Sequence, residues 1–174
     1  MKFSLSKSLE ILERTPGVLI ALLQNLSVEW TLNNEGGETW NVHDIVGHLI
    51  HGEETDWITR TEIILSNKPD KTFAPFDRFA QFEKSKEKTM SQLLDKFKSL
   101  RQNNIAVLKS MELTDQDLEQ TGVHPAFGEV TLSQLLSTWT VHDLNHIAQI
   151  SRVIAKQYKT EVGPWTEYLR ILQS

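Results

Sequence analysis

The chain has 174 residues, 39% of them hydrophobic and 24% charged, which fits one domain with a sizeable core. Its formal net charge of −5 offers no basic excess to neutralise phosphates, so nucleic acid is not an expected partner. With no cysteine, disulfides, thiolate metal sites and a cysteine nucleophile are excluded, and a transition-metal site must use histidine and carboxylate.

The elements predicted in chain order are helices joined by polar loops, with no sustained alternation of strand type. The opening stretch "MKFSLSKSLEILERTPGVLI" is broken by Glu10, Glu13 and Arg14, which argues against a signal peptide. No run approaches membrane-spanning length, so the expected location is the cytoplasm, with no membrane partner. A first segment over about residues 4–26 is interrupted at Thr15–Gly17. There Pro16 fits a first helical position with Thr15 as cap, predicting a kink or two short helices. "NNEGGET" is a loop. A second helix starts near Asn41, its cap, with Asp44 favouring the positive helix end, and runs to about Ser66. "NKPDKTFAPF" is a loop, and a third helix covers roughly 80–111 with Leu93, Leu94, Phe97, Leu100, Ile105 and Leu108 as its stripe.

"LTDQDLEQTGVHPAFGEV" reads as an irregular connection with one helical turn near 115–119. The fourth helix opens on a capping box, Thr131 to Gln134, and carries Leu135, Trp139, Ile150 and Val153 at helical spacing. It ends before Gly163–Pro164, and a short helix in "WTEYLRIL" closes the chain. Four long helical segments in a chain with no dividing linker predict an all-α fold, a four-helix bundle over residues 1–174.

Two stretches look like copies: "WNVHDIVGHLI" from Trp40 and "WTVHDLNHIAQI" from Trp139. Each residue turns a helix by about 100°. His142 and His146, four apart, therefore share a face and can bind one metal. His43 and His48, five apart, diverge by about 140° and cannot share an ion from an unbroken helix. His48 and His51 could share a face. His48 lies at the edge of the stripe set by Ile45 and Leu49, whereas His51 lies towards the polar side and His43 near solvent. A metal between two helices needs ligands at such edges, and His48, His142 and His146 fit best. The competing reading makes all of them surface or hydrogen-bonded histidines, with His124 a loop residue or a pocket residue. Asp143 falls within an apolar stripe and needs a partner, for which Arg60 is the expected one; Asp56 and Arg60 form a favourable pair four apart. Gln149 is placed to orient a ligand or a bound water beside His146.

With "ERTPGVLIALLQNL", the two histidine stretches and "GPWTEYL" together, nearly the whole chain resembles the DinB-like superfamily of metal-dependent four-helix-bundle enzymes. The resemblance implies that a second-helix histidine joins an HxxxH pair on the last long helix around one divalent ion, here His48, His142 and His146. It implies a transferase or isomerase using a low-molecular-weight thiol for some relatives, no assigned reaction for many, and commonly a homodimer. Zinc or nickel is expected first, with iron or copper also compatible with three imidazoles.

Three functions follow as expectations. The first is a metalloenzyme, a thiol-dependent transferase or a hydrolase acting on a small molecule. Its nucleophile would be water or thiol at the ion held by His48, His142 and His146, with Gln149 and Asp143 supporting, because no side chain stands out as a base. The second is a non-catalytic metal-binding or stress-response bundle. The third is a bundle with ordinary histidines and no metal.

Overall fold

The computed structural model describes residues 1–173. The first segment is two helices, α1 (Leu5–Leu12) and α2 (Thr15–Leu23). Arg14, not Thr15, holds the cap position. Thr15 is already helical and its Oγ1 donates to the Ile11 carbonyl at 3.2 Å. A short helix absent from the sequence reading, α3 (Val28–Leu32), precedes the glycine-containing loop.

Two segments that look continuous in sequence are each divided. The second is α4 (Val42–Thr55) and α5 (Trp57–Leu65), divided at Asp56, whose φ of −113° and ψ of −72° distort the helix there. The third is α6 (Ala80–Ser85) and α7 (Met90–Ser110). Thr89 accepts from the Gln92 N–H while Gln92 reaches back to the Thr89 N–H, so a capping box restarts the helix after the polar stretch 83–88. The same device opens α4, through Asn41 and Asp44.

After α8 (Asp115–Leu118) the predicted irregular connection contains a hairpin, β1 (Thr121–His124) paired antiparallel with β2 (Gly128–Thr131). Strands of four residues are too short for alternation to show, and the turn depends on Gly128 at φ +74°. The last long helix, α9 (Leu132–Lys156), is capped by Thr131 with Gln134. The expected closing helix is instead two 3-10 turns, Gly163–Tyr168 and Arg170–Leu172.

The rods α1–α2, α4–α5, α7 and α9 form a four-helix bundle in which α4 lies against α7 and α9, α1 against α9, and α2 against α7. Two apolar clusters fill it. Ile45, Val46, Leu49, Phe97 and Ile150 belong to one; Leu12, Trp57, Phe73, Leu108 and Trp139 belong to the other. Arg101 sits at their seam, over the Phe97 ring at 4.9 Å and the Trp139 ring at 5.2 Å, and is only 1% exposed. Its guanidinium grips both Asp143 oxygens at 2.6 and 2.9 Å, Glu53 at 2.8 Å and the Leu12 carbonyl at 2.9 Å. One side chain thereby ties α7 to α9, α4 and α1. Trp139 Nε1 and Asn104 Nδ2 also donate to Glu53, completing the satisfaction that a buried charge requires. The expected Asp143–Arg60 pair is thus corrected. Asp143 belongs to Arg101, and Arg60 pairs with Asp56.

The loop between α5 and α6 is stitched to the hairpin. Phe73 N–H donates to the Val123 carbonyl at 2.9 Å, and Val123 N–H to the Lys71 carbonyl at 3.0 Å. Phe73 is seated beneath Gly122, where an added Cβ would stand 2.6 Å from the ring. No helix among the described residues is long and apolar enough to cross a membrane.

Candidate metal centre

α4 and α9 each bring a histidine edge to one point. His48 comes from the middle of α4, two turns past its cap, and His142 and His146 come from successive turns of α9. His142 Nε2 stands 3.1 Å from His48 Nε2 and 3.1 Å from His146 Nε2. The three candidate ligand atoms all lie within 4.8 Å of one another.

Hydrogen bonds between the rings cannot account for this convergence. A neutral imidazole nitrogen carries either one N–H or one lone pair. His142 Nε2 can therefore satisfy one of its two neighbours and must oppose the other. A cation removes the conflict, because it collects three lone pairs at once. A tetrahedral ion with metal–nitrogen bonds of roughly 2.0–2.1 Å sets its nitrogens about 3.3 Å apart, close to the spacing seen. The donor set therefore fits a divalent metal.

The surroundings keep the lone pairs available. Burial pushes the His48 imidazole down to about 3, with the neighbouring His146 ring adding to it. Burial likewise pushes His142 down to about 2, and lowers His146 against the pull of Gln149 and Asp143. All three rings are neutral at pH 7 and able to ligate. His146 Nδ1 donates to Gln149 Oε1 at 2.7 Å, which fixes the tautomer and leaves Nε2 as the acceptor facing its partners. Asp143 makes its hydrogen bonds to Arg101, and no histidine bond to it exists among the described residues.

Aromatic rings wall the site. Trp40 lies 5.0 Å and Phe76 5.4 Å from the His48 ring, and Trp57 lies 5.2 Å from His142. A cavity of about 460 Å³ opens from the histidines towards Asp56, Arg60, Phe73 and the hairpin residues His124 and Val130. Burial raises Asp56 to about 6 despite Arg60 beside it.

The remaining histidines are elsewhere. His43 Nε2 bonds the Lys88 carbonyl at 2.8 Å near the surface. His51, expected towards the polar side, is buried against Phe76 because α6 and its preceding loop cover that face of α4. His124 is on β1, stacked on Phe127 at 4.5 Å, and lines the cavity. Sequence reasoning missed Arg101 and Glu53, although both recur at apolar positions: Arg101 follows Phe97 by four, and Glu53 follows Leu49 by four.

Comparison with known proteins agrees with this geometry. The family model of the DinB superfamily matches residues 11–150. Proteins of Bacillus cereus (strain 03BB102) and Bacillus thuringiensis subsp. konkukian (strain 97-27), both provisionally named metal-dependent hydrolases, are 29% identical to it over 114 residues. That match covers 64% of this chain but 63% of each relative, less than two thirds of their length. In fold the chain is similar to YfiT from Bacillus subtilis, described as a probable metal-dependent hydrolase with an unusual four-helix bundle topology. The TM-score is 0.73 at 23% identity, over 91% of this chain and 87% of YfiT.

Proposed function

Since the chain belongs to the DinB superfamily, we propose that it is a metal-dependent hydrolase of small molecules, with a divalent ion held by His48, His142 and His146. The observation that carries this reading is the convergence of three neutral imidazole nitrogens at the floor of an aromatic-walled cavity. Three protein ligands leave coordination positions open, the pattern of a catalytic site. A divalent ion there supplies Lewis acidity, acidifying water or a thiol and polarising a substrate oxygen.

The chain's own residues prepare the place. Gln149 Oε1 holds the proton of His146 at Nδ1 and sets the ring's angle. Trp40, Phe76 and Trp57 exclude water from the imidazoles and offer an apolar wall to a substrate. Arg101 locks α4 to α9, so the two ligand-bearing helices hold a constant separation. Zinc or nickel is the proposed ion, with iron or copper as further candidates. A transferase using a low-molecular-weight thiol is the second reading. It is favoured by the absence of cysteine from the chain, which requires any thiol to arrive with a small molecule. The proposal includes a cytoplasmic homodimer, which light scattering tests.

The deciding experiment is metal analysis of protein purified without a histidine tag, followed by hydrolysis and thiol-transfer panels with each metal. Stoichiometric metal and a metal-dependent hydrolytic rate are expected. Metal that raises the melting temperature without accelerating any reaction would place the protein among non-catalytic metal binders.

A further inference from the structure

The cavity has a second polar pole that the metal chemistry does not use. Asp56, the residue that ends α4, follows His48 by eight, which at ~1.5 Å per residue sets it roughly 12 Å along the helix axis from His48. Arg60, one turn further on α5, pairs through Nε with Asp56 Oδ1 and lies over the Phe73 ring at 5.1 Å. Arg60 is 8% exposed, yet it lines the cavity.

A guanidinium has five N–H donors in a planar fork. In Arg60 only the Nε edge is engaged, and no acceptor among the described residues reaches Nη1 or Nη2. A buried arginine ordinarily spends its terminal nitrogens, as Arg101 does with Nη1 and Nη2 on Asp143, Glu53 and Leu12. The cavity wall also differs in charge from the molecule. The chain carries −5, whereas the wall holds Arg60 and Arg78 against the single carboxylate Asp56. Between the two poles the lining is apolar and aromatic, with Trp57, Phe73, Phe76 and Leu135.

From this arrangement we propose that Arg60 is a substrate-anchoring residue that receives a carboxylate, and that the substrate is an elongated acid. Its reacting group meets the histidine pole, its apolar middle crosses the aromatic wall, and its carboxylate takes the open edge of the Arg60 fork in a bidentate pair. Asp56 holds the guanidinium in place from the opposite edge. The inference rests on the proposed metal site for the orientation of the substrate, but the anchor itself does not need the ion.

The test uses two probes of equal length, suberic acid monohydroxamate and its methyl ester, titrated calorimetrically into the full chain in zinc-loaded and metal-free forms. The free acid should bind about tenfold more tightly than the ester in both forms. Arg60→Met should bring the two within about twofold while leaving the ester unchanged. The double variant Asp56→Asn/Arg60→Met removes both charges together and reads the same ratio if the single variant does not fold. Equal binding of acid and ester by the wild-type protein, a preference that survives in both variants, or no binding of either probe would overturn the proposal. Zinc should tighten both probes through the hydroxamate. If it does not, the hydrolase reading fails, while the acid-to-ester ratio still judges Arg60.

Discussion

The two stretches Trp40–Asp44 and Trp139–Asp143 share W-x-V-H-D and do almost nothing in common. In the first, the five residues straddle a helix start. Trp40 packs on His48 from outside α4, His43 bonds the Lys88 carbonyl, and Asp44 caps the helix through the Asn41 N–H. In the second, they lie in the interior of α9. Trp139 stacks on Trp57 at 5.6 Å and donates to Glu53, His142 joins the three-histidine cluster, and Asp143 is fully buried on Arg101. The side chains are identical, and their distance from the helix terminus decides what they meet. At a first turn the free N–H groups claim the carboxylate. Two turns further in, that demand has gone and the neighbouring helices claim it instead.

The sharpest way to break the comparison is to remove both aspartates in turn. Asp143→Ala leaves Arg101 buried with half its countercharge and should cost about 3 kcal/mol or more of unfolding free energy. Asp44→Ala forfeits one arm of a capping box and should cost only about 0.5–1 kcal/mol. Urea titration of both variants checks the ordering, and comparable losses would mean that the buried network is dispensable.

The histidines give the next contrast. His142→Ala should abolish stoichiometric zinc, a loss exceeding the roughly 10–100-fold typical of residues that only support a ligand, whereas His43→Ala should retain full occupancy. Gln149→Ala should fall between them, weakening zinc about tenfold by releasing the His146 ring. Competition with a chelating dye measures all three.

The last contrast is in acid stability. His48 and His142 have folded values lowered to about 3 and 2, so below pH ~6.5 the unfolded chain binds protons that the metal-free native state refuses. Stability of the metal-free protein should therefore rise with pH up to about 6.5 and fall as the pH is lowered from there towards 3. The slope is at most about 1.4 kcal/mol per pH unit for each ring. Replacing His142 with leucine should flatten that slope in urea melts between pH 5 and 7; an unchanged slope would show that the ring is not buried as neutral imidazole.

The helical bundle was readable because amphipathic stripes and caps are local. Asn41, Thr131 and the break before Pro16 mark helix starts within one or two residues. The division at Asp56 was not readable from the stripes, because the apolar period continues across it; the one before Thr89 was overlooked, although residues 83–89 carry no apolar side chain and Thr89–Gln92 carries the cap signal. At the histidine cluster, spacing alone separated His43 from His48 and joined His142 to His146. What spacing could not supply was the far partner. Asp143 needs a cation, but only the packing of α7 against α9 and α4 selects Arg101 over Arg60. The hairpin escaped for a related reason. Its first strand is also held, at Val123, by the Lys71–Phe73 segment about fifty residues earlier.

Gly122 shows how far such selection reaches. A methyl group there would strike both Phe73 and Ile64, so the hairpin can close over the loop only because this residue ends at its backbone. Phe73 in turn fixes the loop whose Phe76 leans on His48. The exposed hairpin and the imidazole cluster are therefore mechanically linked. A peptide ligand or a protease acting on the hairpin would alter metal retention without touching a ligand, and hydrogen exchange at Val123 would report the release before the metal is lost.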